Sequence, residues 1–298
     1  MNQKTASEYE LSLKSIETEN YIDRIFFRPL GFWIAKLLRN SGITPNMVTV
    51  ISIFIGASAG PLFYYNSLRL TLLGIFCLVF ANLLDCVDGQ LARLTGIKSK
   101  IGRVLDGFAG NIWFILIYVF LALRLKNEYG SYLFFIPAVL SGFSHIVQAN
   151  ITDYYKTLHL YFVSREKGSE FQNSNEIRTQ HKNMKRGFGK MLFFIYMGYT
   201  LLQEAITPRL QGMLKQLHTR YGNDIPENIR MDFRRKSSRI MKRYIDFMTF
   251  NGRVFLLFLA VLSNEVWIYF FFEIIILNIF LLLSIYKHEH ICTTFTER

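Results

Sequence analysis

Six apolar runs dominate the chain, at residues 47–65, 70–92, 104–125, 131–150, 252–265 and 266–286. Short polar turns separate them, except for a long polar stretch between the fourth and fifth. A helix needs roughly 20 apolar residues to cross the hydrocarbon core, and backbone amides in lipid must be satisfied within their own segment. The pattern therefore predicts an all-α membrane protein with six transmembrane helices. The expected organisation is a cytoplasmic N-terminal segment at 1–46, the first four spans at 47–162, a basic, helical cytoplasmic insertion at 163–250, the last two spans at 251–286 and a cytoplasmic tail at 287–298.

Polar positions supply the orientation. The loop after the second run carries Arg93, Lys98, Lys100 and Arg103 without an acid, whereas the turn after the third holds Arg124, Lys126 and Glu128. Positive charge marks the cytoplasmic side, so both termini are expected there, in the inner membrane if the cell is bacterial. Residues 1–30 contain no cleavable leader pattern. In 29–41, Phe32, Ile34, Leu37 and Leu38 interleave with Lys36 and Arg39, which predicts an interfacial N-terminal helix. Within the insertion, 168–187 reads as a polar linker, and 190–206 as a helix too short to span, buried or interfacial. Residues 227–248 read as an amphipathic helix, with Phe233, Ile240, Tyr244 and Phe247 opposed by Arg234, Arg235, Lys236, Arg239, Lys242 and Arg243.

Composition narrows the class. At 51% hydrophobic and 16% aromatic residues, the chain is too apolar for an ordinary soluble domain. The formal charge is +12, and residues 163–253 hold 18 Lys and Arg against 8 Asp and Glu. No nucleic-acid motif accompanies this excess, so anionic membrane lipids, not DNA or RNA, are the expected partner. Cys77, Cys86 and Cys292 are far apart and form no ligand or disulfide pattern.

The chemistry concentrates in 82–111, NLLDCVDGQLARLTGIKSKIGRVLDGFAGN. Asp85, Asp88 and Asp106 fall on the inner parts of the second and third runs, where a charge costs roughly 2.5–3.5 kcal/mol at mid-bilayer. Helical spacing puts Asp85, Asp88, Gly89 and Ala92 on one face, and Gly102, Asp106 and Gly110 on one face of the next helix. An antiparallel pair would pool the three acids around a divalent cation, and oxygen-only ligands suit Mg2+ or Mn2+. The small residues would let a base or phosphate approach the backbone, or would serve helix packing.

Asp85-x2-Asp88-Gly89-x2-Ala92-Arg93-x8-Gly102-x3-Asp106 resembles the signature of the CDP-alcohol phosphatidyltransferases. The resemblance implies six spans, a homodimer and a cytoplasm-facing, metal-dependent site. There a substituted phosphate passes from a CDP-linked lipid or alcohol donor to an alcohol acceptor, releasing cytidine monophosphate. It makes Asp85, Asp88 and Asp106 metal ligands, and Gly89, Ala92, Arg93 and Gly102 substrate-binding positions. Thr44-Pro45-Asn46-x2-Thr49 is similar to a segment at the start of the first span in that family; Asn46 and Thr49 either line the nucleotide pocket or only begin a helix. Lys98 and Arg103 either contact phosphates or only set topology. The family pattern continues with a fourth Asp acting as base, where this chain has Gly110 followed by Asn111. That departure leaves an alternative, a catalytically silent relative that binds nucleotide-lipid or scaffolds other enzymes. It also leaves room for a bulkier, ceramide-like alcohol.

A replacement base has two candidates on the fourth helix. His145, Gln148, Thr152, Lys156 and His159 share a polar face with Asp153 at its edge. His145 lies at about the depth of Gly110, since depth accrues at roughly 1.5 Å per residue. Neutral imidazole is a competent base near neutral pH; His145, or else Asp153, would take the acceptor's proton, unless the stripe is purely structural.

Overall fold

The computed structural model describes residues 3–15, 17–97, 99–163, 171–222 and 224–296, and these are helical with no strand. Among the described residues, six helical stretches are long and apolar enough to cross a membrane: Pro45–Tyr64, Leu68–Thr95, Ile101–Tyr129, Tyr132–Val163, Glu227–Leu262 and Val266–Phe295. The chain is a multi-pass integral membrane protein. The chain divides into two units, Met1–Val147 with Phe250–Ile276, and Gln148–Thr249 with Leu277–Arg298.

In the first unit, α1 (Gln3–Ser12) and α2 (Arg28–Leu38) precede the spans α3 (Pro45–Tyr64), α4 (Leu68–Thr95) and α5 (Lys100–Tyr129), with the start of α6 (Phe135–Val163) completing the consecutive segment. Thr44 caps α3 by accepting from Met47 N, and Pro45 occupies its first turn, where no amide is needed. Gly96, at φ 72°, ends α4 in the left-handed conformation that glycine adopts without strain. Ser99 then caps α5, its Oγ accepting from Gly102 N at 2.8 Å. Small residues set the span spacing: a Cβ on Gly56 would lie 2.5 Å from Trp113 Nε1. An apolar cluster of Ala35, Val48, Leu84, Val87 and Leu91 locks α2, α3 and the inner half of α4 together. At the other end, buried Arg124 donates to Phe63 O, Asn66 Oδ1, Glu128 Oε1 and Asn264 Oδ1, joining the end of α3 to two turns.

The N-terminal segment has more structure than its polarity suggests. Glu8 of α1 pairs with Lys36 at 2.7 Å and with Arg39 at 3.6 Å, so the two basic residues of the expected interfacial helix bind the chain itself. Trp33 and Leu37 of that helix remain exposed.

The second unit contains the remainder of α6, then α7 (Ser174–Asn183), α8 (Phe188–Ile206), α9 (Pro208–Tyr221), α10 (Glu227–Ile240) and α11 (Asp246–Met248). The first unit resumes with α12 (Phe250–Leu262) and α13 (Val266–Phe271), and α14 (Leu277–Thr296) returns to the second. Three details differ from the expected outline. The described part of the 168–187 linker contains α7, held because Asn173 caps it, Glu204 binds Ser174 and Ile177 is buried. The 227–248 helix spends its apolar side within the unit: Phe233 stacks on Phe162 at 4.0 Å and Phe247 on Phe280 at 5.0 Å. The 287–298 tail begins as the last turns of α14, where His288 stacks on Tyr155 at 3.8 Å and the Glu289 carboxylate accepts from Arg209 N and Leu210 N at the start of α9.

Candidate metal and nucleotide site

The two faces of inner α4 divide the work. Leu84, Val87 and Leu91 face the apolar cluster, while Asp85 and Asp88 project where α5 brings Asp106. One carboxylate oxygen from each acid lies within 4.8 Å of the others. Oxygen ligands at opposite corners of a Mg2+ octahedron sit about 4.2 Å apart, twice a bond of 2.0–2.1 Å. Adjacent ligands come closer still, so the three side chains would draw together around a cation, and the hard donor set fits Mg2+ or Mn2+.

Neighbouring groups are arranged around this trio. Thr49 Oγ1, buried, donates to Asp88 Oδ2 at 2.5 Å, which fixes one oxygen of a carboxylate that is itself 3% exposed. Asn46 Nδ2 donates to Ser99 Oγ at 3.1 Å, and a Cβ at Gly102 would collide with the Asn46 amide oxygen. Gly102 is thus small because α3 reaches across the start of α5. At Gly89 a Cβ would meet the Arg93 guanidinium at 3.2 Å, so the arginine folds back over its own helix. Arg93 Nε donates to the main-chain carbonyl of Ser12. Ala92 is half-buried and Arg103 exposed, while Lys98 lies outside the described residues.

The vacancy in the sequence pattern is also a vacancy in space. A Cβ added to Gly110 would meet nothing within 4 Å. Among the buried atoms without a hydrogen-bond partner in the described residues, which on these two helices also include Gln90 Oε1 and Trp113 Nε1, are Asn82 Nδ2, one turn before Asp85, and Asn111 Oδ1, beside Gly110. Each is a polar atom that a bound polar ligand could satisfy.

The two candidate bases are placed differently. His145, 4% exposed, lies against the Phe114 ring, shares a 3.0 Å hydrogen bond between its Nδ1 and Tyr118 OH, and stands 3.8 Å from Glu273 Oε1, which pairs with Arg253. Asp153 is exposed in the second unit. Of the polar stripe, Gln148, Thr152 and His159 are buried, with Gln148 Nε2 donating to Asn278 Oδ1 at 2.8 Å.

Sequence reasoning passed over Gln90. It is fully buried inside the signature and donates to Ser12 Oγ and Arg28 O, both at 3.1 Å. A lone amide between Gly89 and Leu91 in an apolar helix was the available signal. It also gave no role to the Arg253–Glu273 pair, whose signal was one opposite charge in each of the last two apolar runs.

Comparison with known proteins agrees with this geometry. An archaetidylinositol phosphate synthase of Pyrococcus horikoshii is 45% identical over 73 residues, 24% of this chain and 37% of that protein. A ceramide phosphoethanolamine synthase of Drosophila melanogaster is 27% identical over 119 residues, 37% of this chain and 30% of that protein. The matched stretches thus cover only about a third of each relative. The profile of the CDP-alcohol phosphatidyltransferases matches residues 42–203, more than half of the sequence and all of the acid-bearing region, and the chain belongs to the CDP-alcohol phosphatidyltransferase family.

Proposed function

We propose that the chain is a membrane phosphotransferase of lipid synthesis. It would move a substituted phosphate group from a CDP-linked donor to an alcohol and release cytidine monophosphate. The observation that carries this reading is the convergence of three carboxylates on two membrane helices. Asp85, Asp88 and Asp106 would hold Mg2+ or Mn2+, and the bound cation would withdraw charge from the donor pyrophosphate as the nucleotide leaves. Thr49 keeps Asp88 oriented, and Arg93 offers guanidinium donors to a phosphate. Asn46 and Gly102 shape the nucleotide end, with Gly89 and Ala92 allowing close approach to the backbone. Arg103 adds positive charge near the start of α5, on the side we assign to the cytoplasm.

Proton removal is assigned differently from the sequence expectation. His145 is enclosed by Phe114, Tyr118 and Glu273, and we assign it to holding helices together; exposed Asp153 is the remaining side-chain candidate. A relocated base is tolerable here because phosphoryl transfer depends chiefly on positioning and charge neutralisation. The space beside Gly110 would then receive part of the acceptor or donor head.

The test is release of cytidine monophosphate by purified protein in lipid nanodiscs with Mg2+ or Mn2+. The names of the relatives set the panel: CDP-linked lipids with polyol phosphates, and CDP-ethanolamine with ceramide. Release from at least one pair, abolished by Asp88→Asn, is the expected result. Silence with every pair, together with no Mn2+ binding, would overturn the proposal.

A further inference from the structure

The outer surface of α8 has no counterpart in the chemistry above. Along Phe188–Ile206 the exposed positions are Phe188, Met191, Phe194, Ile195, Gly198, Leu201 and Ala205, a continuous stripe without one polar side chain. The opposite side is buried and partly polar: Gln203 Nε2 donates to Asn150 O and its Oδ1, while Asn150 Nδ2 donates to Tyr199 O at 3.1 Å. Scattered exposed apolar residues need no explanation, but a contiguous stripe marks a contact surface.

Depth indicates what covers it. Asn150, to which α8 is tied, lies 18 residues after the start of the Tyr132–Val163 span. That is about 27 Å along the helix at 1.5 Å per residue, close to the full hydrocarbon thickness of roughly 30 Å. The tied half of α8 is therefore level with the membrane boundary. Exposed Lys182, Lys185 and Arg186 stand just before the helix, with Lys190 in its first turn. Those charges suit anionic head groups.

We propose that α8 is a monotopic element lying in the membrane interface, with the Phe188–Ala205 stripe sunk into the acyl boundary of anionic lipid. The second unit is then seated on the bilayer by this helix as well as by its spans. An apolar face of this kind buries about 5–10 Å deep.

A fluorophore on Phe194→Cys tests this in full-length protein reconstituted into phosphatidylcholine–phosphatidylglycerol nanodiscs. Cys77→Ala removes the half-buried native thiol, and the same variant without the new cysteine serves as blank, Cys86 and Cys292 being buried. Phe194 is exposed, with its ring 6.2 Å from that of His181, so its replacement disturbs little of the unit's packing. The expected result is blue-shifted emission, quenched several-fold more by a nitroxide near the lipid head group than by an aqueous nitroxide or one deep in the acyl chain. Strong aqueous quenching would place the stripe in solvent and overturn the inference. Protection from every quencher would mean a second protein copy on the stripe, and strongest quenching by the deep nitroxide a spanning helix; either outcome also overturns it. Lys185→Glu with Arg186→Glu is expected to shift the emission back toward the red, and an unchanged spectrum would remove the anionic head groups from the proposal.

Discussion

Asp88 is the most enclosed of the three acids, and its Oδ2 accepts a hydrogen bond from Thr49. Groups that orient metal ligands typically contribute 10–100-fold to metal affinity. Thr49→Val, nearly the same volume, is therefore expected to weaken apparent Mn2+ affinity by about that factor, read by titration calorimetry, while the thermal midpoint moves little. Gly102→Ala acts through geometry: its methyl meets the Asn46 amide and Ser99 Oγ. The donor KM should rise more than kcat falls. Gly110 is the reverse case, because an added side chain meets open space. Gly110→Asp should fold normally and raise turnover, by no more than the roughly 10²–10⁴-fold that a general base contributes. Unchanged turnover across pH would mean that an acid at this position does not act as a base.

At the scale of elements, the N-terminal segment gains a role that its composition hid. The carbonyl of Ser12 receives Arg93 Nε, Gln90 reaches both Ser12 and Arg28, and Glu8 ties α1 to α2. Each bond spans more than 60 residues of sequence except the last, so no local pattern announces them. Gly31 is part of the same joint, since a Cβ there would strike Gln90 Oε1 at 2.5 Å. Gln90→Leu should loosen α1 from α4 and leave Arg93 poorly held, raising donor KM with little loss of Mn2+ affinity. Equal losses in both would instead place Gln90 in the metal site. The spans and the acid trio were legible because hydropathy and helical spacing are local properties. The division into an amphipathic helix at 227–248 and a following span was legible because charge stops between them, and the extended backbone of Thr249 separates α11 from α12 at that point. An apolar residue on a basic helix looks the same from sequence whether it meets lipid or, as Phe233 does, another ring of its own unit, Phe162.

For the molecule as a whole, the costliest groups are charges buried away from the reaction. Arg253 in α12 pairs with Glu273, which lies in a π-helical turn, Phe272–Ile276, following α13. His145 of α6 stands 3.8 Å from the same carboxylate and bonds Tyr118 of α5, so four spans meet at one polar knot in the first unit. Removing one partner of such a pair strands the other charge, at a cost of roughly 3–5 kcal/mol, whereas replacing both with apolar residues is often neutral. Arg253→Met should therefore lower the thermal midpoint in detergent sharply, and Arg253→Met with Glu273→Leu should recover most of the loss. His145→Gln keeps a hydrogen-bonding group toward Tyr118 and removes only the ring, so it should retain folding and most turnover. If it instead abolished cytidine monophosphate release while leaving the thermal midpoint and Mn2+ binding unchanged, His145 would be acting on the acceptor and not on the helices around it.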